Sequence, residues 1–232
     1  MKKTVVLGAL TTLMLSSGPV HAATLDDVTA RGKLNCGVHN NLPGFAKPDT
    51  NGRWEGFDVA VCRAVAAAVL ADPEAVEFVP VTAQTRFTAL AAGEIDLLSR
   101  NTTWTFERDV DRKLEFAGVN YYDGQGFLVP KDLGKSSAKE LEGATVCIQT
   151  GTTSVFNLAD FFQANNMEYT ALPFDELEKA QEQYLDGACD VFTSDASQIA
   201  AMRASFENPG EHIILPEIIS KEPLGPLVRH GD

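Results

Sequence analysis

The sequence predicts an α/β fold in two lobes, and three observations carry that reading. Val- and Ile-rich strand-like runs alternate with helical runs, the pattern of α/β proteins with mainly parallel sheets. The alternation occurs twice along the chain. Between the two rounds, Tyr121 to Pro130 is extended and punctuated by glycines, which suits a crossing between lobes. With 232 residues, 44% of them hydrophobic, the chain is long enough for one large domain or two lobes with cores of their own.

The first residues stand apart from that fold. Lys2 and Lys3 precede an apolar run from Val5 to Leu15, and Val20-His21-Ala22 forms a small-x-small cleavage site. This reads as a secretory signal peptide, with cleavage expected after Ala22 or Ala23. The apolar run is too short for a membrane anchor. No Cys stands at the cleavage site, which argues against a lipoprotein.

The elements follow in order. Lys33 to Val38 reads as a strand, and Asn40 to Trp54 as a loop rich in Gly, Pro and Asn. Gly56 to Leu70 carries apolar residues at helical spacing and ends at Asp72-Pro73. Val76 to Val81 is a strand, Arg86 to Ala92 a helix stopped by Gly93, and Ile95 to Leu98 a strand. In the second round, strands are expected at 144–148, 168–172 and 187–193, and helices at 155–164, 176–185 and 195–205. Ile213 to Leu215 and Leu224 to Val228 are late extended pieces.

Charge and cysteines narrow the class. The formal net charge is −13; without Lys2 and Lys3, 17 basic residues face 32 acidic ones. That balance argues against nucleic acid and against anionic membrane surfaces as partners. The four cysteines, Cys36, Cys62, Cys147 and Cys189, suit an oxidising compartment and two disulfides. Three connectivities are open; Cys36–Cys62 with Cys147–Cys189 is favoured because each bridge then stays within one half of the chain. No CxxC occurs and no His lies at ligand spacing from a Cys, so neither zinc nor another cofactor is expected.

Three polar clusters fall where strands end: RNTTWTFERD from Arg100, QTGTTS from Gln149, and Thr193-Ser194-Asp195. Singly, each has a plain structural reading as caps, turns or surface ion pairs. Together they suit one ligand. An arginine fork matches a carboxylate, helix N-terminal N–H groups take its remaining lone pairs, and a separate aspartate receives an ammonium group. A cleft holding both is complementary to the zwitterion of an α-amino acid.

The segments GFDVAVCRAV, GEIDLLSRNTTWTFERD, VCIQTGTTSVF and GACDVFTSDASQIAAMR resemble periplasmic polar amino-acid-binding proteins of ABC importers, and most of all the general L-amino-acid-binding branch. The resemblance spans essentially all of the mature chain and implies the type II two-lobed fold of that family. It implies that Arg108 clamps the ligand α-carboxylate and that Thr103 bridges carboxylate and ammonium. The backbone of Asn101 contacts the ammonium, Thr153 with Thr152 donates to the carboxylate from the second lobe, and Asp195 accepts the ammonium. Arg100 faces the ligand side chain. Ala83 stands where narrowly specific relatives often place an aromatic, which implies a roomier pocket. The implied division is a signal peptide at 1–22, a first lobe at 23–121, a second at 122–218 and a return crossing at 219–232, after which family members continue further. The implied partners are an L-amino acid and an inner-membrane permease, for a monomer in the periplasm. Trp104 is read as a wall of the pocket or as packing, Phe45 as a lid over the ligand side chain, and Phe57, Phe78, Phe116 and Phe192 as core. The alternatives are a periplasmic enzyme on the same fold, of dehydratase or lytic-transglycosylase type, or an amino-acid sensory domain. The enzyme needs a general acid or base in the cleft, and Glu107, Asp109 and Asp111 read instead as the exposed side of a short helix.

Overall fold

The computed structural model describes residues 24–232, so the expected signal peptide lies outside the described residues. The chain runs α1 (Thr24–Arg31), β1 (Leu34–Val38), the short hairpin β2 (Lys47–Pro48) and β3 (Trp54–Glu55), α2 (Phe57–Leu70), β4 (Val76–Pro80), α3 (Arg86–Ala91), β5 (Leu97–Leu98) and β6 (Leu114–Phe116). It continues through β7 (Tyr121–Asp123), β8 (Gln125–Pro130), β9 (Thr145–Gln149), α4 (Ser154–Ala164), β10 (Thr170–Phe174), α5 (Leu177–Leu185), β11 (Val191–Asp195), α6 (Ala196–Ala204) and β12 (His212–Ile214). Two short strands, β13 (Glu222–Leu224) and β14 (Leu227–Arg229), complete it.

These elements form two five-stranded sheets, ordered β4-β1-β5-β14-β6 and β10-β9-β11-β8-β12. Each is mixed rather than mainly parallel. In the first, β1 lies parallel to β4 and β5, while β14 runs antiparallel to β5 and β6. In the second, β9 lies parallel to β10 and β11, while β8 runs antiparallel to β11 and β12. The cause is the route of the chain. β8 and β14 come straight off the crossing strands, with no helical crossover to turn them parallel. The crossings β7 and β13 pair with each other, Glu222 opposite Asp123 and Leu224 opposite Tyr121.

Helical stripes close each sheet. In α2 the buried positions Asp58, Cys62 and Ala66 recur every four residues, with Val59 beside them. In α5 they are Leu177, Ala180 and Tyr184. The disulfide Cys36–Cys62 fastens α2 to β1, and Cys147–Cys189 joins β9 to the turn before β11, the pairing favoured from the sequence. All four cysteines are buried. Two glycines are dictated by close approach. A Cβ at Gly37 would stand 2.4 Å from Ile95 Cδ1, and one at Gly225 would stand 2.0 Å from the Gly118 carbonyl oxygen, where the chain returns to the first sheet.

Several expectations shift. β10 starts two residues later than expected, because Met167 N–H still bonds the Phe162 carbonyl and Asn166 takes a left-handed turn at φ 54°. β11 starts at Val191 rather than Gly187, and Ser194 and Asp195 lie inside it rather than beyond it. Phe57 is not core: it is 36% exposed, edge-on to Phe45 and Tyr121 beside the crossing. Phe116 and Phe192 are buried as expected, and Phe78 is half-buried against Trp54. No helix among the described residues is long and apolar enough to cross a membrane.

Candidate ligand-binding site

The carboxyl ends of β5, β9 and β11 face each other across a cleft between the lobes, where open α/β sheets bind ligands. The first lobe contributes His39, Arg86, Arg100, Asn101, Thr103 and Arg108 to its wall. The second contributes Gln149, Thr152, Thr153, Ser154, Ser194, Asp195 and Gln198. All seven ligand residues expected from the sequence are therefore brought together, although they span Arg100 to Asp195 in the chain. Trp104 is elsewhere, stacked on Phe116 at 5.2 Å with its indole N–H on Asp109. Phe45 packs with Phe57 and Tyr121 away from this cleft and is no lid over it. Ala83 is buried where its backbone approaches Gly151 of the opposite lobe. Glu107 and Asp111 are exposed; Glu107 pairs with Arg112, and Asp109 holds Trp104.

Each side chain is anchored locally. Arg108 sits in a short wide helical turn, Glu107–Asp111, and donates to the Thr103 carbonyl at 2.9 Å. Arg100 donates to the Val81 carbonyl at 2.9 Å. Asn101 has a φ of 29°, which asparagine tolerates better than most residues. That twist turns its backbone N–H onto the Asp58 carboxylate at 3.0 Å, while Ser99 Oγ donates to the other oxygen at 3.2 Å. The Asn101 N–H is thereby committed to Asp58. Thr152 Oγ1 donates to the Gln149 carbonyl, closing the turn into α4.

The lobes are latched in this conformation. Gln84 Nε2 donates across the cleft to Thr150 Oγ1 at 2.5 Å, Arg86 to the Gly151 carbonyl at 3.2 Å and Asn101 Nδ2 to Gln198 Oε1 at 3.2 Å. From the return crossing, the buried carboxylate of Glu222 accepts from Thr103 Oγ1 at 2.6 Å on one side and from Thr153 Oγ1 at 2.9 Å on the other.

Buried charge dominates the site. Arg86, Arg100 and Arg108 are each at most 5% exposed. Burial lowers all three pKa values, that of Arg100 to about 10, and the neighbouring guanidinium charges press the same way. Phe87 presents its ring to Arg86 and Arg108 at 4.7 and 5.3 Å, a favourable face for cations. Burial, reinforced by the charges of Arg100 and Arg86, drives His39 down to about 2, so the ring is neutral. Its Nδ1 accepts from the Asn41 N–H, which leaves the proton on Nε2. Across the cleft, burial, with the charges of Asp123 and Glu222, raises Asp195 to about 8. Among the described residues its carboxylate takes no protein hydrogen bond, whereas Asp58, raised to about 6 by burial, is fully engaged.

Arg86, Asp58, Gln198 and Glu222 were not anticipated. Two of them left a trace in the sequence. Arg86 shares the buried stripe of α3 with Leu90, and Asp58 shares that of α2 with Cys62. A charged residue on an apolar helical stripe is a signal of a buried polar contact. Glu222 left none, since it lies in a short extended segment without periodicity.

Two lobes closed on a buried cleft, with arginines on one wall and a free carboxylate on the other, define a two-lobed solute-binding protein. The family model for bacterial extracellular solute-binding proteins, family 3, matches residues 34–187, and the chain belongs to that family. It is 60% identical over its whole length to the glutamate/glutamine/aspartate/asparagine-binding protein of Rhodobacter capsulatus, covering 69% of that protein. It is 53% identical, over 95% of its length, to the general L-amino acid-binding periplasmic protein of Rhizobium johnstonii, covering 64% of it. A solved periplasmic binding protein of an ABC transporter from Brucella ovis, with glutathione bound, is similar at 53% identity and a TM-score of 0.89. That match covers 91% of this chain and 67% of the other. The chain thus spans about two thirds of the length of these relatives.

Proposed function

We propose that this chain, as a periplasmic monomer, captures L-amino acids of several kinds between its lobes and presents the closed form to an inner-membrane permease. The observation that carries this reading is the convergence of Arg108 and Asp195, from opposite lobes, on one buried cleft. Arg108 takes the α-carboxylate, helped by N–H groups at the start of α4. Asp195, which has no hydrogen-bond partner among the described residues, takes the ammonium. Thr103 and Thr153 flank that head group, with Asn101 and Thr152 shaping its surroundings.

Beyond the head group, Arg86, Arg100 and the neutral His39 remain for the ligand side chain. Two further guanidinium groups favour a second carboxylate or an amide oxygen. Acidic and amide amino acids are therefore the preferred class, in keeping with the ligands named for the Rhodobacter relative. Because the clamp is divided between the lobes, a ligand binds the closed state better than the open one and shifts the population toward closure.

The test is titration of Arg108→Ala with L-glutamate. Truncating one member of a buried charge pair costs roughly 2–5 kcal/mol, about 30- to several-thousand-fold in affinity. Undiminished binding in a folded variant would overturn the assignment.

A further inference from the structure

We propose that Glu222 is a positioning residue of the binding site: it fixes the Thr103 and Thr153 hydroxyls as acceptors for the ligand ammonium and ties both lobes to the return crossing. This deepens the amino-acid-binding reading and rests on it.

Glu222 is 2% exposed at the start of β13. Four donors saturate its carboxylate. Oε2 accepts from Thr103 at 2.6 Å and Thr153 at 2.9 Å, and Oε1 from Asn157 Nδ2 at 2.7 Å and Ser220 Oγ at 2.6 Å. They come from three parts of the molecule: Thr103 from the first lobe, Thr153 and Asn157 from the turn and helix α4 of the second, and Ser220 from the crossing itself. The backbone strengthens the arrangement, since Thr103 also bridges to Leu224 and Trp104 N–H bonds the Pro223 carbonyl at 2.7 Å.

The chemistry follows from counting protons. A hydroxyl has one proton and two lone pairs, and an ionised carboxylate only accepts. With both threonine protons directed onto Oε2, the two oxygens present lone pairs to the cleft. They suit an ammonium and do not suit a carboxylate, which departs from the carboxylate contacts that the resemblance implies for Thr153 and Thr103. The α-carboxylate is left to Arg108 and to backbone N–H groups. One buried acid on the crossing thereby fixes which end of the zwitterion lies where. The same four bonds form fully only when the lobes are together.

Glu222→Gln reverses this arrangement at nearly constant shape. Its carbonyl oxygen accepts from Asn157 and Ser220, while its NH2 donates to the threonines and turns their protons toward the ligand. We expect Glu222→Gln to bind L-glutamate at least 30-fold more weakly than the wild type, with an unchanged unfolding midpoint. Thr103→Val should lose a comparable factor, and the losses in the double variant should combine to well below their product, because Glu222 acts in part through that hydroxyl. Affinity of Glu222→Gln within threefold of the wild type, or losses that multiply in the double variant, would overturn the proposal. If Glu222→Gln does not fold, Glu222→Asp, which withdraws the acceptor by one methylene, carries the same cycle with the same outcomes. Wild-type protein that binds none of the twenty L-amino acids would instead overturn the reading on which this rests.

Discussion

Asp195 and the three buried arginines set the pH behaviour of the site. Asp195 is raised to about 8 by burial and by the charges of Asp123 and Glu222, so near neutrality the closed, empty cleft holds a proton there. An ammonium partner needs the carboxylate. Below pH 8, binding must therefore release that proton, and affinity should rise close to tenfold per pH unit from 6 toward 8. Asp195→Asn should weaken binding and flatten this rise; an unchanged slope in the variant would show that another group titrates. The effect on stability has the opposite sign. A carboxyl whose folded pKa exceeds its unfolded value binds more protons when folded, so the contribution of Asp195 to stability falls as pH rises from about 4 to 8. Urea unfolding of wild type and Asp195→Asn at pH 5 and pH 8 measures that contribution. The two should differ more at pH 8, with the variant the more stable.

At the scale of elements, the disulfides and the crossings matter most. Cys36–Cys62 closes a loop of 26 residues and Cys147–Cys189 one of 42. Loop-closure entropy alone gives about 3.5 and 4 kcal/mol for loops of these lengths. Replacing either pair with alanines should lower the unfolding free energy by about 2–5 kcal/mol in denaturant titration, and no loss would show that the bridge constrains little. Gly225→Ala should cost about 1–3 kcal/mol, because its Cβ would stand 2.0 Å from the Gly118 carbonyl oxygen and backbone must shift to admit it. Much of this was legible in the sequence. The apolar stripes of α2 and α5, Gly93 after α3 and the even cysteine count each follow from local chemistry. The mixed sheets were not legible, because β8 and β14 take their direction from crossings whose path only the assembled lobes define. Phe57 was misplaced for a similar reason: at the first position of α2 it faces the crossing rather than the sheet. The candidate site was legible as far as its polar clusters abut strand ends. Glu222 was hidden because its partners are remote in the chain, 119 residues away for Thr103.

For the whole molecule, the proposed function makes closure the step that couples capture to delivery. The bonds from Gln84, Arg86, Asn101 and Glu222 bridge the lobes, and each must break for a ligand to enter. The open form should therefore be the larger in solution, and saturating L-glutamate should reduce the radius of gyration seen by small-angle scattering. An identical radius with and without ligand would contradict a closing clamp. The most direct measurement is calorimetric titration of the chain with the twenty L-amino acids in turn. Several should bind at one site, acidic and amide ones tightest, and none of those should bind Arg108→Ala with comparable affinity. A folded protein that binds none of them, or binds them equally well without Arg108, would contradict the assignment of the cleft.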